Sequence, residues 1–303
     1  MIHINIDNEY SQLKNVVLGL AKDIGSPPKE SDAYDPRSLY HIKNKSYPQE
    51  SQLIKELEYF YKKLIKHNVE VIRPDNINNC NQIFTRDLGF IISKVFFLSN
   101  IVPDRLDEID GIKKLFEDFD VGVMKIPDYM HIEGGDVIVH NDKVLIGTYS
   151  EDDYSSFITA RTNKESIDYL KKIITDKEII PIDIKKSNTN IFENTLHLDC
   201  CFQTISENKA IICPDGFKRK EDVDFLIKLF GKTNIFLANK QESFLLTSNV
   251  LVISPEVIVS DFRFNRLNKW LESNGILVEK VDYSNVSKMS GLFRCSTLPL
   301  RRI

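Results

Sequence analysis

The chain has 303 residues, with 40 Lys or Arg against 44 Asp or Glu, a formal charge of −4, and 42% hydrophobic residues. A balance so close to zero offers no field to gather nucleic acid or an anionic membrane, and the composition is that of a folded chain rather than a disordered one. No stretch reaches 18 apolar residues and the first residues lack a basic-then-apolar targeting pattern, so the sequence predicts a cytoplasmic protein that spans no membrane.

Along the chain, Leu13–Gly19 reads as a first strand, 51–67 as a helix with Leu53, Leu57, Phe60 and Leu64 on one face, and Val69–Arg73 as a strand. A strand over 89–99, a helix over 104–118 and a strand over 120–126 follow. Strands 136–139 and 143–147, turning at Asn141-Asp142, precede helix 164–175 and strand 178–182. Two further rounds repeat the succession: strands 201–205 and 209–213 with helix 221–230 and strand 233–237, then strands 249–253 and 256–260 with helix 264–273 and strand 277–281. No Pro/Gly/Ser-rich linker divides the chain, so residues 1–303 are expected to form one α/β domain.

This makes five strand-strand-helix-strand units of roughly 61 residues each. A ring of small sheets would bury the strand edges that such units leave open. A doubly wound parallel sheet competes, but it needs nearly every strand to be followed by a helix, and the hairpins break that rule. No GxGxxG or GxxxxGK[ST] opens a helix, so nucleotide binding has no support.

The five cysteines, Cys80, Cys200, Cys201, Cys213 and Cys295, show no CxxC and no framework spacing, which points to a reducing compartment. Cys200 and Cys201, read as neighbours on a strand, would face opposite sides, so neither a zinc knuckle nor a redox pair is expected. The first four read as small buried hydrophobes. Four clusters fall at strand ends, where loops carry function: Phe84-Thr85-Arg86-Asp87, His131-Ile132-Glu133-Gly134-Gly135-Asp136, Leu196-His197-Leu198-Asp199, and Ser290 to Thr297 around Cys295. On a strand, His197 and Asp199 would share a face. A thiol with an ordinary pKa of about 8.5 needs a cationic partner or substrate to act as a nucleophile at neutral pH. Asp87, Glu133 and Asp199 would make one pocket acidic enough to receive such a cation, and a planar guanidinium offers a fixed fork of N–H donors to paired carboxylates. On ligand type alone, His197, Asp199 and Glu133 also leave a metal site open. Asp136 suits a site role and a turn role equally, and His131 and His140 are expected to be surface or structural residues.

These clusters, in this order, with Ser-Thr-Leu-Pro-Leu after Cys295, resemble the guanidino-group-modifying enzymes: arginine deiminases, dimethylargininases and amidinotransferases. The resemblance spans nearly the whole chain, since Asn8–Lys14 resembles the family's opening strand and Val71-Ile72-Arg73-Pro74-Asp75 an amidinotransferase segment. It implies a five-bladed pseudo-symmetric α/β propeller, in agreement with the five units, and metal-free, cofactor-free catalysis on a small cationic guanidino substrate. It implies Cys295 as the nucleophile, His197 as the acid/base and Glu133 as the carboxylate that holds His197 and a guanidinium nitrogen, with Asp87 and Asp199 clamping the other nitrogens. Arg161 resembles a position that grips the substrate's α-carboxylate, although its long acidic approach, Tyr149 to Thr159, equally suits a surface residue. Arg294, where relatives have a smaller residue, would either lower the thiol pKa or bind a carboxylate. The resulting expectation is a hydrolase that releases citrulline plus ammonia or an alkylamine from arginine or an N-substituted arginine. Transfer of the amidino group to an acceptor amine is the alternative, and an inactive ligand-binding or partner-binding propeller the third reading. A homo-oligomer is compatible with all three.

Overall fold

A computed structural model describes residues 1–303. Its strands and helices run β1 (Leu13–Leu18), α1 (Pro36–Lys43), α2 (Glu50–Lys66), β2 (Glu70–Ile72), β3 (Gly89–Ile92), β4 (Val95–Leu98), α3 (Leu115–Asp118), β5 (Val123–Lys125), β6 (Val137–His140), β7 (Lys143–Thr148), α4 (Lys164–Ile173) and β8 (Glu178–Asp183). They continue as β9 (Phe202–Thr204), β10 (Ala210–Ile212), α5 (Lys220–Phe230), β11 (Ile235–Leu237), α6 (Lys240–Phe244), β12 (Leu251–Ser254), β13 (Val257–Asp261), α7 (Asn265–Ser273), β14 (Leu277–Val281) and β15 (Thr297–Arg302).

The strands group into five three-stranded sheets, ordered β15-β1-β2, β3-β4-β5, β6-β7-β8, β9-β10-β11 and β12-β13-β14. Each pairs its first two strands antiparallel and its last two parallel, and in four of the five the antiparallel pair is a hairpin followed by a crossover. The five units are thus five blades of a pseudo-symmetric propeller. The helices cover them through apolar stripes: α2 buries Leu53, Leu57, Phe60 and Leu64, and α4, capped by Asn163, buries Ile167 and Leu170.

Three local expectations fail for identifiable reasons. The run 89–99 is a hairpin rather than one strand, because Ser93 turns through a positive φ of 52°. The helix expected over 104–118 is a 3-10 stretch from Pro103 to Gly111 followed by the single turn of α3. Arg105 and Glu108, which a surface helix would expose, are instead drawn inward as a buried ion pair. The first blade lacks a strand until β15 supplies it from the far end of the chain, pairing Leu13 with Arg302 and Leu18 with Thr297.

Candidate active site

Each blade's antiparallel edge strand is entered through a tight turn, and these five turns converge. Thr85–Leu88 leads into β3, Gly134–Asp136 into β6 and Leu198–Cys200 into β9, all as 3-10 turns. Turns also lead Thr247-Ser248-Asn249 into β12 and Arg294-Cys295-Ser296 into β15. Asp87, Glu133, His197, Asp199, Asn249 and Cys295 are therefore equivalent in origin, and all are buried. His197 and Asp199 do not lie on one strand face as expected, since the backbone turns between them. Extended backbone aims His197 at Glu133, and the 3-10 turn carries Asp199 to Cys295.

His197 Nε2 lies 2.7 Å from Glu133 Oε2, and its Nδ1 is 3.5 Å from Asp87 Oδ1. Burial alone would push the imidazolium down, but Asp87, the Glu133 hydrogen bond and Asp136 outweigh it and raise its pKa. Burial pushes Glu133 up, while Arg161 and His197 together carry it well below the usual carboxylate range. The Cys295 sulfur lies 3.6 and 3.7 Å from the two oxygens of Asp199. The neighbouring Cys200 thiol, burial and Asp199 all push the Cys295 thiol far up, so it stays protonated while no cation is bound. Close backbone approach depends on the paired glycines: a Cβ on Gly134 would fall 2.1 Å from the Arg86 carbonyl oxygen, and one on Gly135 2.6 Å from His197 Cγ.

The expected acidic pocket is not free. Each of its three carboxylates already carries a guanidinium from the protein. Arg105 donates to Asp87 at 2.6 Å and to both oxygens of Glu108 at 2.7 and 2.8 Å. Arg161 donates to both oxygens of Glu133 at 3.2 Å. Arg294 donates to Asp199 at 2.9 Å, to Glu9 at 3.0 Å and to the Val137 carbonyl at 2.7 Å.

These pairings revise two expectations. Arg161 is 1% exposed, which overturns the surface reading; its Nη2 and Nε are held by the Tyr34 and Ile158 carbonyls. Arg294, expected among the substrate-binding residues, does bind carboxylates, but they are the protein's own, and its guanidinium stands outside the cleft. Asp136 serves the turn, accepting from the Leu198 amide and the Thr162 hydroxyl. His140 is structural, packed between the rings of Tyr10 and Phe230.

Cys295, His197, Asp87, Arg105 and Arg161 line a cleft of about 20 Å³, together with Tyr34, Asp35 and Met289. Beyond these three lies a chamber of about 650 Å³ bordered by Asp32, Glu50, Asp104, Asp107 and Glu108. One buried oxygen in the cleft, Oδ1 of Asp87, has no hydrogen-bond partner. Arg105 and Asn249 carry no motif and were not expected in the site; the only sequence trace of Arg105 is its i,i+3 spacing to Glu108. Ligand-type atoms come together as Asp87, Glu133 and His197 and as Asp199, Cys200 and Cys295. Neither set is the combination His197, Asp199 and Glu133, and the first already has two guanidinium groups on its carboxylates.

Residues 37–302 match the family model described as N,N dimethylarginine dimethylhydrolase, eukaryotic. The chain belongs to this family. It is 31% identical over 298 residues to the uncharacterized protein YkgA of Bacillus subtilis, covering 97% of this chain and 94% of that one. It is also 27% identical over 213 residues to an arginine deiminase of Metamycoplasma hominis, a match that covers 59% of this chain and 48% of the deiminase. Among solved structures, the inosamine-phosphate amidinotransferase of Streptomyces griseus superposes with a TM-score of 0.77 at 16% identity, covering 99% and 97% of the two chains. The N-terminal domain of ArgZ, an arginine dihydrolase from cyanobacteria, gives 0.79 at 16% identity, covering 96% and 98%. At such identities the superpositions establish the fold alone. Membership in the dimethylarginine dimethylhydrolase family makes the chain a guanidino-group-modifying enzyme. No helix is long and apolar enough to cross a membrane.

Proposed function

We propose that this dimethylarginine dimethylhydrolase family member, acting as one catalytic domain over residues 1–303, hydrolyses the guanidino carbon–nitrogen bond of arginine or an N-substituted arginine through a covalent intermediate on Cys295. The observation that carries the reading is the cleft itself: a thiol, an imidazole and an unpartnered carboxylate oxygen face one small space. The substrate guanidinium displaces Arg105 from Asp87 and donates to both Asp87 oxygens. Its positive charge beside Cys295 offsets the surroundings that hold the thiol proton, which leaves to solvent as the thiolate forms.

The sulfur attacks the guanidino carbon, and His197, whose protonated form Glu133 and Asp87 favour, gives its proton to the departing amine as the carbon–nitrogen bond breaks. A water then adds to the thiouronium carbon, losing a proton to the now neutral His197. As the carbon–sulfur bond breaks, the added hydroxyl gives its remaining proton to solvent and becomes the ureido carbonyl, and thiolate and imidazolium are restored. Arg105, once displaced, and Arg161 are placed to receive the substrate's carboxylate. Asp199 and Arg294 serve from behind, one against the sulfur and the other holding that carboxylate.

The alternative, transfer to an acceptor amine, is favoured by one feature: the adjoining chamber has the volume and the carboxylates to admit a second cation. The deciding experiment incubates the protein with L-arginine, N-methylated arginines and agmatine, with and without glycine or ornithine, and identifies products by mass. Citrulline independent of acceptor supports the hydrolase; a new guanidino compound appearing only with acceptor overturns it. Cys295→Ser and His197→Ala are expected to abolish turnover, and retained activity in either would overturn their roles.

A further inference from the structure

Four of the five convergent turns deliver a residue that the proposed chemistry uses: Asp87, Glu133, His197 with Asp199, and Cys295. The fifth delivers Asn249, a fully buried residue just before β12. Its carboxamide oxygen accepts from three backbone N–H groups of the nucleophile loop, those of Leu292 at 3.2 Å, Arg294 at 3.1 Å and Cys295 at 3.2 Å. Its amide nitrogen donates to the Cys295 sulfur at 3.1 Å and to the Asp199 carbonyl at 3.3 Å.

The orientation of this side chain is fixed by the network. Turned over, the NH₂ group would face three N–H donors and the oxygen would face a carbonyl, losing the three loop bonds and the bond to Asp199. The loop that presents the nucleophile is thus wrapped around one carboxamide. We infer that Asn249 is a positioning residue that sets both the place of the Cys295 sulfur and its acidity.

The physical reason lies in which state the donor favours. An N–H aimed at sulfur bonds a thiolate more strongly than a thiol, because the bond becomes charge-assisted. The other neighbours of the sulfur mostly act the opposite way. Asp199 and Cys200 lie beside it, and Asp87 stands across the cleft with His197 and Arg105. Tyr283 lies near enough to interact with it, and Arg161, Tyr34 and Asp35 line the same cleft. Among these, the two carboxylates and Cys200 hold the proton on. Asn249 is the uncharged group that favours its departure, and it does so without drawing an ion pair into the cleft.

The inference rests on Cys295 being the nucleophile, but its test does not. In Asn249→Asp the oxygen that receives three N–H donors keeps its partners and keeps the carboxylate ionised, while the second oxygen faces the sulfur with no proton to give. The rate of Cys295 alkylation by iodoacetamide is followed against pH, with the labelled cysteine identified by peptide mass. The midpoint is expected to rise by about one pH unit or more, an approximately tenfold loss of thiolate at a fixed pH. With a substrate in hand, kcat falls while KM stays within about twofold.

Asn249→Leu, which removes all five bonds at similar volume, is expected to lose turnover with its circular dichroism retained; should that variant fail to fold, Asn249→Asp alone decides. An alkylation profile identical to that of the unsubstituted protein in Asn249→Asp, or undiminished kcat in folded Asn249→Leu, overturns the inference. Failure of the nucleophile assignment is seen separately, as activity surviving in Cys295→Ser, and leaves the alkylation result standing.

Discussion

Substituting Gly135 by Ala tests the site through a single methyl group. The new Cβ would lie 2.6 Å from Cγ and 2.7 Å from Nδ1 of His197, and 2.8 Å from Oδ1 of Asp87, against an ordinary contact of 3.4–4 Å. His197 must therefore retreat by roughly 1 Å, a displacement that commonly costs about a hundredfold in rate when it moves a catalytic group. A hundredfold loss corresponds to about 2.7 kcal/mol of transition-state stabilisation. The move also stretches the 2.7 Å bond to Glu133, so the imidazole loses its orienting partner at the same time. The neighbouring Gly134 supplies the control. Its Cβ would collide with backbone, the Arg86 and Gly89 carbonyl oxygens at 2.1 and 2.4 Å, which no rotamer can relieve. Gly134→Ala should then lower the melting temperature sharply, whereas Gly135→Ala should keep the melting temperature within a few degrees and lose turnover. Steady-state kinetics beside calorimetry separates the two. If Gly135→Ala turns over its substrate at the original kcat, His197 is not where the reaction needs it, and the assignment of the acid/base falls.

Three further outcomes follow from the charges and thiols around the site. Arg294→Met should destabilise the protein by about 3–5 kcal/mol in urea unfolding, because Asp199 and Glu9 are left buried without their shared guanidinium; a loss below about 1 kcal/mol would show that these charges are not held as described. Cys200→Ala removes the thiol partner that contributes most to raising Cys295, so alkylation of Cys295 should move to lower pH and quicken at neutrality, as pH-dependent labelling would show. Glu279→Gln removes the carboxylate shared by Lys63, Lys66 and His67, and should cost about 1 kcal/mol at pH 7, since Lys66 is exposed. Glu279 is pulled down to about 2 in the folded protein, where burial pushes it up but the three hydrogen bonds prevail. Its contribution is present above the ordinary value of 4.5 and lost as pH falls toward 2, so the variant and the unsubstituted protein should converge in acid; a stability gap that persists there would refute this account.

The blades were legible because each is built from short apolar runs bounded by turn residues, and α2 because its Leu53, Leu57, Phe60 and Leu64 stripe repeats at helical spacing. The clusters around Asp87, Glu133, His197 and Cys295 were legible because motif residues sit in the turns themselves. What was lost is what depends on contacts across the ring. Nothing near Arg105 in the chain announces that its guanidinium will reach Asp87, 18 residues away in sequence, and nothing near Asn249 names Cys295, 46 residues ahead. The neutralisation of the acidic pocket was invisible for the same reason: Arg294 meets Glu9 across 285 residues. A 3-10 turn at Leu198–Cys200 likewise follows from tertiary packing, so strand geometry gave the wrong reason for bringing His197 and Asp199 to one site.

The pairing of β15 with β1 ties two properties of the molecule into one event. Cys295 sits two residues before Thr297, the first residue of the strand that completes the first blade, and Ser296 between them accepts from the Gly19 amide. Any fluctuation that peels β15 from β1 slackens the nucleophile loop in the same movement. Local opening at this seam is thus coupled to loss of order at the nucleophile, and hydrogen exchange of the β1 amides is expected to track loss of activity.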